Sequence, residues 1–235
     1  MRNFLIKLIV RARNEDYKID DAINSIDIIL IICQKVFDLI RGEFKKIGIK
    51  GTKKKVFIGK KVVLKHKSHI YFSNKVQIKD YVEINGLSKE NVVLGENVTI
   101  GKYSIIRGTG AIQSLGKGIK IGKNFGCGDF CFFGCSGGII IGENVMLGQN
   151  VRFHSQNHKF DRLDIPMREQ GVVSKGIKVG NDCWIGAGAT ILDGVTIGNG
   201  CVIGGNTLVN IDIPDYAVAV GNPVKIIKFR NEKNN

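Results

Sequence analysis

The stretch FHSQNHKFDRLDIPMREQG, residues 153–171, holds two of the chain's four histidines, His154 and His158, followed by the carboxylates Asp161, Asp164 and Glu169. An imidazole titrates near ~6.5, which suits it to take a proton from a hydroxyl at neutral pH. A neighbouring carboxylate orients such a base, and Glu169, Asp161 and Asp164 are the candidates. Other reactive side chains are the six cysteines, Cys33, Cys127, Cys131, Cys135, Cys183 and Cys201. None forms a CxxC pair, and their density is too low for a disulfide scaffold. They read as reduced thiols, with Cys127, Cys131 and Cys135 as small buried hydrophobes rather than metal ligands.

The frame around this stretch keeps a six-residue beat of apolar residues: Ile58, Leu64, Ile70, Val76 and Val82, then Leu94, Ile100, Ile106 and Ile112, then Ile121, Cys127, Phe133 and Ile139, then Leu147 and Phe153. It resumes after the stretch as Val179, Ile185, Ile191, Ile197, Ile203 and Val209. A helix repeats every 3.6 residues and a strand every two, so neither produces this spacing. Short strands joined by tight corners do, with one aliphatic buried per side and a glycine beside it where coils stack closely. The chain therefore reads as mainly β, a solenoid of stacked coils, and the histidine stretch is an excursion from it.

Residues 182–230, DCWIGAGATILDGVTIGNGCVIGGNTLVNIDIPDYAVAVGNPVKIIKFR, resemble the C-terminal half of the hexapeptide-repeat acyltransferases. Within that superfamily they are similar to the maltose and galactoside O-acetyltransferases and to enzymes that acetylate bacterial surface polysaccharides. The resemblance covers about residues 58–230. It implies a left-handed parallel β-helix and a homotrimer with active sites between subunits. It also implies acetyl-CoA as cosubstrate, no metal, and a saccharide acceptor.

The resemblance places the catalytic base at His158, with His154, Asn157 and Asp129 near the acceptor. It places Trp184, Ala187 and Gly205 along the pantetheine arm, and Lys225 and Lys228, with Arg230, near the phosphates. Two departures leave the acceptor open: a family lysine is Ile211 here, and the asparagine that meets the sugar in galactoside enzymes falls near Gly128 and Asp129. The expected activity is O-acetylation of a surface-polysaccharide or lipopolysaccharide precursor. N-acetylation of a nucleotide-linked amino sugar and a non-catalytic scaffold are the alternatives. A covalent route through Cys183 lacks an adjacent histidine. A zinc site like that of the γ-class carbonic anhydrases would need His66 or His69, several coils from His154 and His158.

Ahead of the solenoid, Ile23, Ile26, Leu30, Cys33, Phe37, Ile40 and Phe44 form the stripe of an amphipathic helix, started by Asp20 or Asp21 and ended before Gly48. The stripe must be covered by the solenoid end, by other subunits or by a bilayer surface. The 35 basic and 21 acidic residues give a net charge of +14, and between Glu43 and Asp80 stand twelve lysines and no acid. Residues 20–67 thus read as a peripheral contact with anionic lipid, or as an attractor of a phosphorylated saccharide. The lysine run lacks interleaved aromatics, and no helix-turn-helix, zinc-finger or RNP-like motif appears, so nucleic-acid binding would be nonspecific. The start, MRNFLIKLIVRAR, lacks a small-residue cleavage site, and Lys7 breaks its apolar run, unlike a secretory signal. The expected division is a helical extension at 1–50, a β-helix at 51–216 with a loop at 154–176, and a basic tail at 217–235. The expected location is cytoplasmic, at the inner membrane face.

Overall fold

Asn, Asp and Gly recur where the chain must turn, and at these positions the backbone is left-handed, a region those residues tolerate best. In the computed structural model, which describes residues 19–51, 55–109 and 112–232, Asn97, Asn124 and Asn144 sit at φ of 56°, 55° and 57° on successive coils. Their side chains bond along the edge, Asn97 to Asn124 at 3.1 Å and Asn124 to Asn144 at 2.9 Å. Such corners join two- and three-residue strands into three parallel sheets, which form the sides of a left-handed β-helix. The first sheet has nine strands, the second seven and the third six. The sequence MRNFLIKLIVRAR and two lysines of the run, Lys53 and Lys54, lie outside the described residues.

Each side of a coil buries two residues, not the single aliphatic expected. On the first sheet Val56 and Ile58 both face inward, as do Cys183 and Ile185, and Cys201 and Ile203. A strand's side chains alternate, so a three-residue side turns its two outer positions to the core. The beat also slips: up to Leu64 it tracks the second inward position, from Ile70 to Val82 the first, and from Leu94 the second again, while Ile112, 84% exposed, falls outside it because the chain leaves the coil there. The first slip falls at a 3-10 turn, Lys67–His69, preceded by His66 in the left-handed region. Phe133 stacks on Phe153 with ring centroids 5.3 Å apart and meets Phe125 edge-on at 6.5 Å, filling the wider middle coils.

Glycine permits the coil spacing. A Cβ on Gly186 would stand 2.6 Å from the Gly205 nitrogen in the following coil, which no real contact tolerates. One coil runs from Trp184 to its register partner Val202, the three hexapeptides of the regular repeat. The coil before it runs from Met146 to Trp184, more than twice as far, and contains the histidine excursion.

Helix α1 (Ser25–Lys45) closes the first coil. Its N-cap is Asn24, not Asp20 or Asp21: Asn24 Oδ1 accepts from the Ile26 and Asp27 amides, and the Asp27 carboxylate accepts from the Asn24 amide at 3.2 Å. This reciprocal box satisfies more amides than an aspartate upstream would. The first coil ends the sheet, so carbonyls on its free edge need donors. Arg41 Nε donates to the Ile58 carbonyl at 2.9 Å, Lys45 bonds the Val62 carbonyl, and Lys35 bonds Gln77. Gly42 lets the helix approach: a Cβ there would lie 1.9 Å from the Val56 oxygen. The helix therefore turns to the solenoid a face that holds Ile28, Asp38 and Gly42, all buried. At the other end, the expected tail starts as a strand: Ala217–Val220 pairs in parallel with Val202–Ile203 and in antiparallel with Lys225–Phe229.

Candidate functional site

The excursion is clamped at both ends by residues the sequence reading passed over. Ser155, buried, donates to the Gly134 carbonyl at 2.6 Å and accepts from the Gly137 amide at 2.9 Å. At the return, Asp193 Oδ1 accepts from the Gly176 amide at 2.7 Å and the Lys175 amide at 2.9 Å. An Asp just after the inward Ile191, where the next coil passes, was the only sequence signal for this anchor.

Between the clamps the excursion is ordered. Asn157–His158 pairs in antiparallel with Val172–Val173, so His158 lies opposite Val172 in a short hairpin. Gln170 braces the loop, accepting from the Arg162 amide at 3.0 Å and donating to the Arg162 and Ile165 carbonyls at 2.7 and 3.1 Å. Asp164 is engaged by Arg162 Nε at 2.9 Å, which holds its carboxyl below the usual range and removes it as the partner of His158. Glu169 sits in the exposed 3-10 turn Met167–Glu169. The His158 ring and the Asn157 amide are exposed, with no hydrogen bond to either among the described residues.

His154 is not in the loop. It ends the strand Arg152–His154 on the second sheet, its ring 5.3 Å from that of Phe132. Burial there, with the charge of Arg152 second, pulls its pKa below the usual histidine range. His66, four register steps away along the same sheet, bonds Asn85. Among the described residues no three His, Cys, Asp or Glu side chains gather closely enough to share a metal ion.

The expected CoA residues come together on another edge. Along the outer surface of the first sheet, Met146, Trp184, Val202, Val218 and Lys228 are successive register partners. Trp184 is 53 % exposed, so its ring is presented rather than packed. Ala187 and Gly205 follow at the corner, both exposed, with the Ala187 carbonyl accepting from the Asn206 amide at 2.8 Å. Asp129 stands at the same corner two coils earlier, accepting from the Lys102 amide at 2.7 Å. Lys225, opposite Val220, extends the surface. Arg230 does not: it donates to the Gly200 carbonyl at 2.7 Å and pairs with Asp182 at 3.4 Å.

Cys183, beside Trp184, points inward, and its hydrogen bond with Cys201 together with burial pushes its pKa up. It remains a thiol, which is a poor nucleophile. Cys135 is likewise raised by burial.

Two half-sites result. The hairpin of His158 leaves the edge between the second and third sheets. The Trp184 ledge occupies the edge between the first and second. No hydrogen bond or ring contact among the described residues joins them.

Residues 176–210, the coils that carry Trp184, Ala187 and Gly205 of this ledge, match the family described as bacterial transferase hexapeptide, six repeats. Over 92 residues the chain is 30% identical to a protein of Mycobacterium tuberculosis that carries an acetyltransferase name, covering 39% of this chain and 31% of that one. Over 120 residues it is 35% identical to a similarly named protein of Saccharomyces cerevisiae, covering 51% of this chain and 60% of that one. The chain thus spans from a third to six tenths of the curated relatives it matches. Its fold is similar to that of AntD, an N-acyltransferase from Bacillus cereus solved with dTDP and coenzyme A, at a TM-score of 0.52 and 22% identity over 81% of this chain and 90% of that one. It is similar too to a hexapeptide-repeat acetyltransferase of Vibrio cholerae, at a TM-score of 0.50 and 20% identity over 86% of both chains.

Proposed function

We propose that this protein is an acetyl-CoA-dependent O-acetyltransferase acting on a sugar hydroxyl of a surface-polysaccharide or lipopolysaccharide precursor, at the inner membrane face. The observation that carries this reading is the separation of the two half-sites onto different edges of one chain. A cyclic trimer supplies the missing half of each site from a neighbour, through a head-to-tail contact that closes.

In this reading the ledge of Trp184, Ala187 and Gly205 receives the pantetheine arm, with small residues letting it lie against backbone. Lys225 and Lys228 meet phosphate as charge-assisted donors. The unpaired imidazole of His158 takes the proton of the acceptor hydroxyl as its oxygen attacks the thioester carbonyl. The Asn157 amide lies next to the developing oxyanion. His158 then returns the proton to the departing thiolate, so no covalent enzyme intermediate forms. The protonated state of Cys183 supports direct transfer. Glu169 orients the imidazole when the loop docks on the neighbouring chain.

The test is calorimetric titration with acetyl-CoA, followed by a CoA-release screen of saccharides and amino-sugar nucleotides. One saturable site per chain and release with hydroxyl acceptors are expected. Release only with amino-sugar nucleotides would assign N-acetylation, and absence of acetyl-CoA binding would refute the acyltransferase reading.

A further inference from the structure

The apolar stripe of α1 faces away from the molecule. Ile26, Leu30, Phe37 and Phe44 are 67%, 62%, 59% and 71% exposed, and Cys33 and Ile40 between them are exposed too. These positions advance by alternate steps of four and three, so they lie on one side of the helix. The opposite side is held to the solenoid by Arg41, Gly42 and Lys45. Rotating the helix to bury the stripe would strip donors from the carbonyls of Ile58 and Val62, so the outward orientation is built into the end of the fold.

Charge decides what covers it. The first coil exposes Lys55, Lys60, Lys61 and Lys65, and no acidic residue occurs before Asp80 and Glu83 in the second. Of these four, Lys65 is paired, with Glu83 at 2.8 Å. Glu43 of the helix is neutralised by Lys46 at 2.6 Å. The first coil thus sets ammonium groups beside the apolar stripe, while the exposed carboxylates of Asp20, Asp21 and Asp27 are confined to the start of the helix. A second copy docked end to end would set lysine rim against lysine rim. No described helix is long and apolar enough to cross a membrane.

We propose that this end of the protein docks on an anionic bilayer surface, with α1 lying in the interface, its stripe among the acyl chains and the first-coil lysines against the headgroups. An amphipathic helix beside a basic cluster has the two attractions that lasting surface attachment needs. The inference stands independently of acyl transfer. In a cyclic trimer the three copies of this end share one height along the axis, which multiplies the attachment.

The test is flotation of the full chain with phosphatidylcholine vesicles, with and without phosphatidylglycerol. At low salt the anionic vesicles should bind at least about tenfold more protein, with each surface lysine contributing roughly a fivefold gain. The exposed-site variant Phe37→Glu/Phe44→Glu should lose at least about tenfold of this binding with circular dichroism and Tm unchanged. Lys60→Glu/Lys61→Glu should lose the preference for phosphatidylglycerol. Equal flotation of the phenylalanine variant, or no flotation of the native chain, would overturn the proposal. So would a fall in the variant's mass by light scattering without lipid, which would assign the stripe to contacts between copies.

Discussion

Replacing Trp184 by alanine separates a side chain that is presented from one that holds the fold. The ring is 53 % exposed and stands between Met146 and Val202 on the outer surface of the first sheet. A tryptophan has up to roughly 250 Å² to bury, so about 130 Å² remain for a ligand to cover. At ~25 cal/mol per Å², full cover contributes ~3 kcal/mol and half cover ~1.5 kcal/mol. The smaller figure is about tenfold in Kd. Calorimetry with acetyl-CoA should therefore show Kd raised about 10- to 100-fold, while Tm moves by no more than ~2 °C. An unchanged Kd, or a fall in Tm like that of a core truncation, would refute the assignment of the ring to the ligand surface.

Cys183→Ala should keep at least about a third of the turnover, because a buried protonated thiol is not a nucleophile; steady-state CoA release checks this. Asp193→Ala removes the acceptor of the Lys175 and Gly176 amides, which should cost about 2 kcal/mol, or roughly 4–8 °C in Tm, and open the loop to limited proteolysis. His154 has a depressed pKa when folded, so the unfolded chain takes up its proton first as the pH falls. Its stabilising contribution is complete above the ordinary ~6.5 and is lost as the pH drops toward the folded value. Thermal scans from pH 7 to pH 5 should show the native chain losing more Tm than His154→Gln.

The solenoid was legible because its core demands an aliphatic at a fixed point of every side. The other inward position of each side was not, since Ser104, Cys131, Ala189 and Thr207 fill it on the second sheet, and small or polar residues do not register as a beat. The slip of phase at His66 was hidden because Val62, Leu64, Ile70 and Phe72 on either side of it are all apolar, so a six-residue step from one inward position to the other still meets an apolar residue. The α1 stripe was legible as a helix, but its orientation was not: that depends on carbonyls at the free edge of the first coil, which hydropathy does not report. At the candidate site, the suspended beat marked the excursion. Ser155 and Asp193, which hold it, gave no pattern because each bonds to backbone of another coil. Gln170 rather than a carboxylate braces the loop, and sequence distance alone could not distinguish it from its neighbour Glu169.

The central claim is that His158 removes the acceptor's proton at a site whose acyl donor is held by other residues. The direct measurement is turnover and acetyl-CoA affinity of His158→Ala beside the native chain, with the acceptor identified by the CoA-release screen. The expected result is turnover at least ~100-fold lower, the scale of general-base catalysis, with Kd for acetyl-CoA within about twofold. Native turnover in the variant would contradict it.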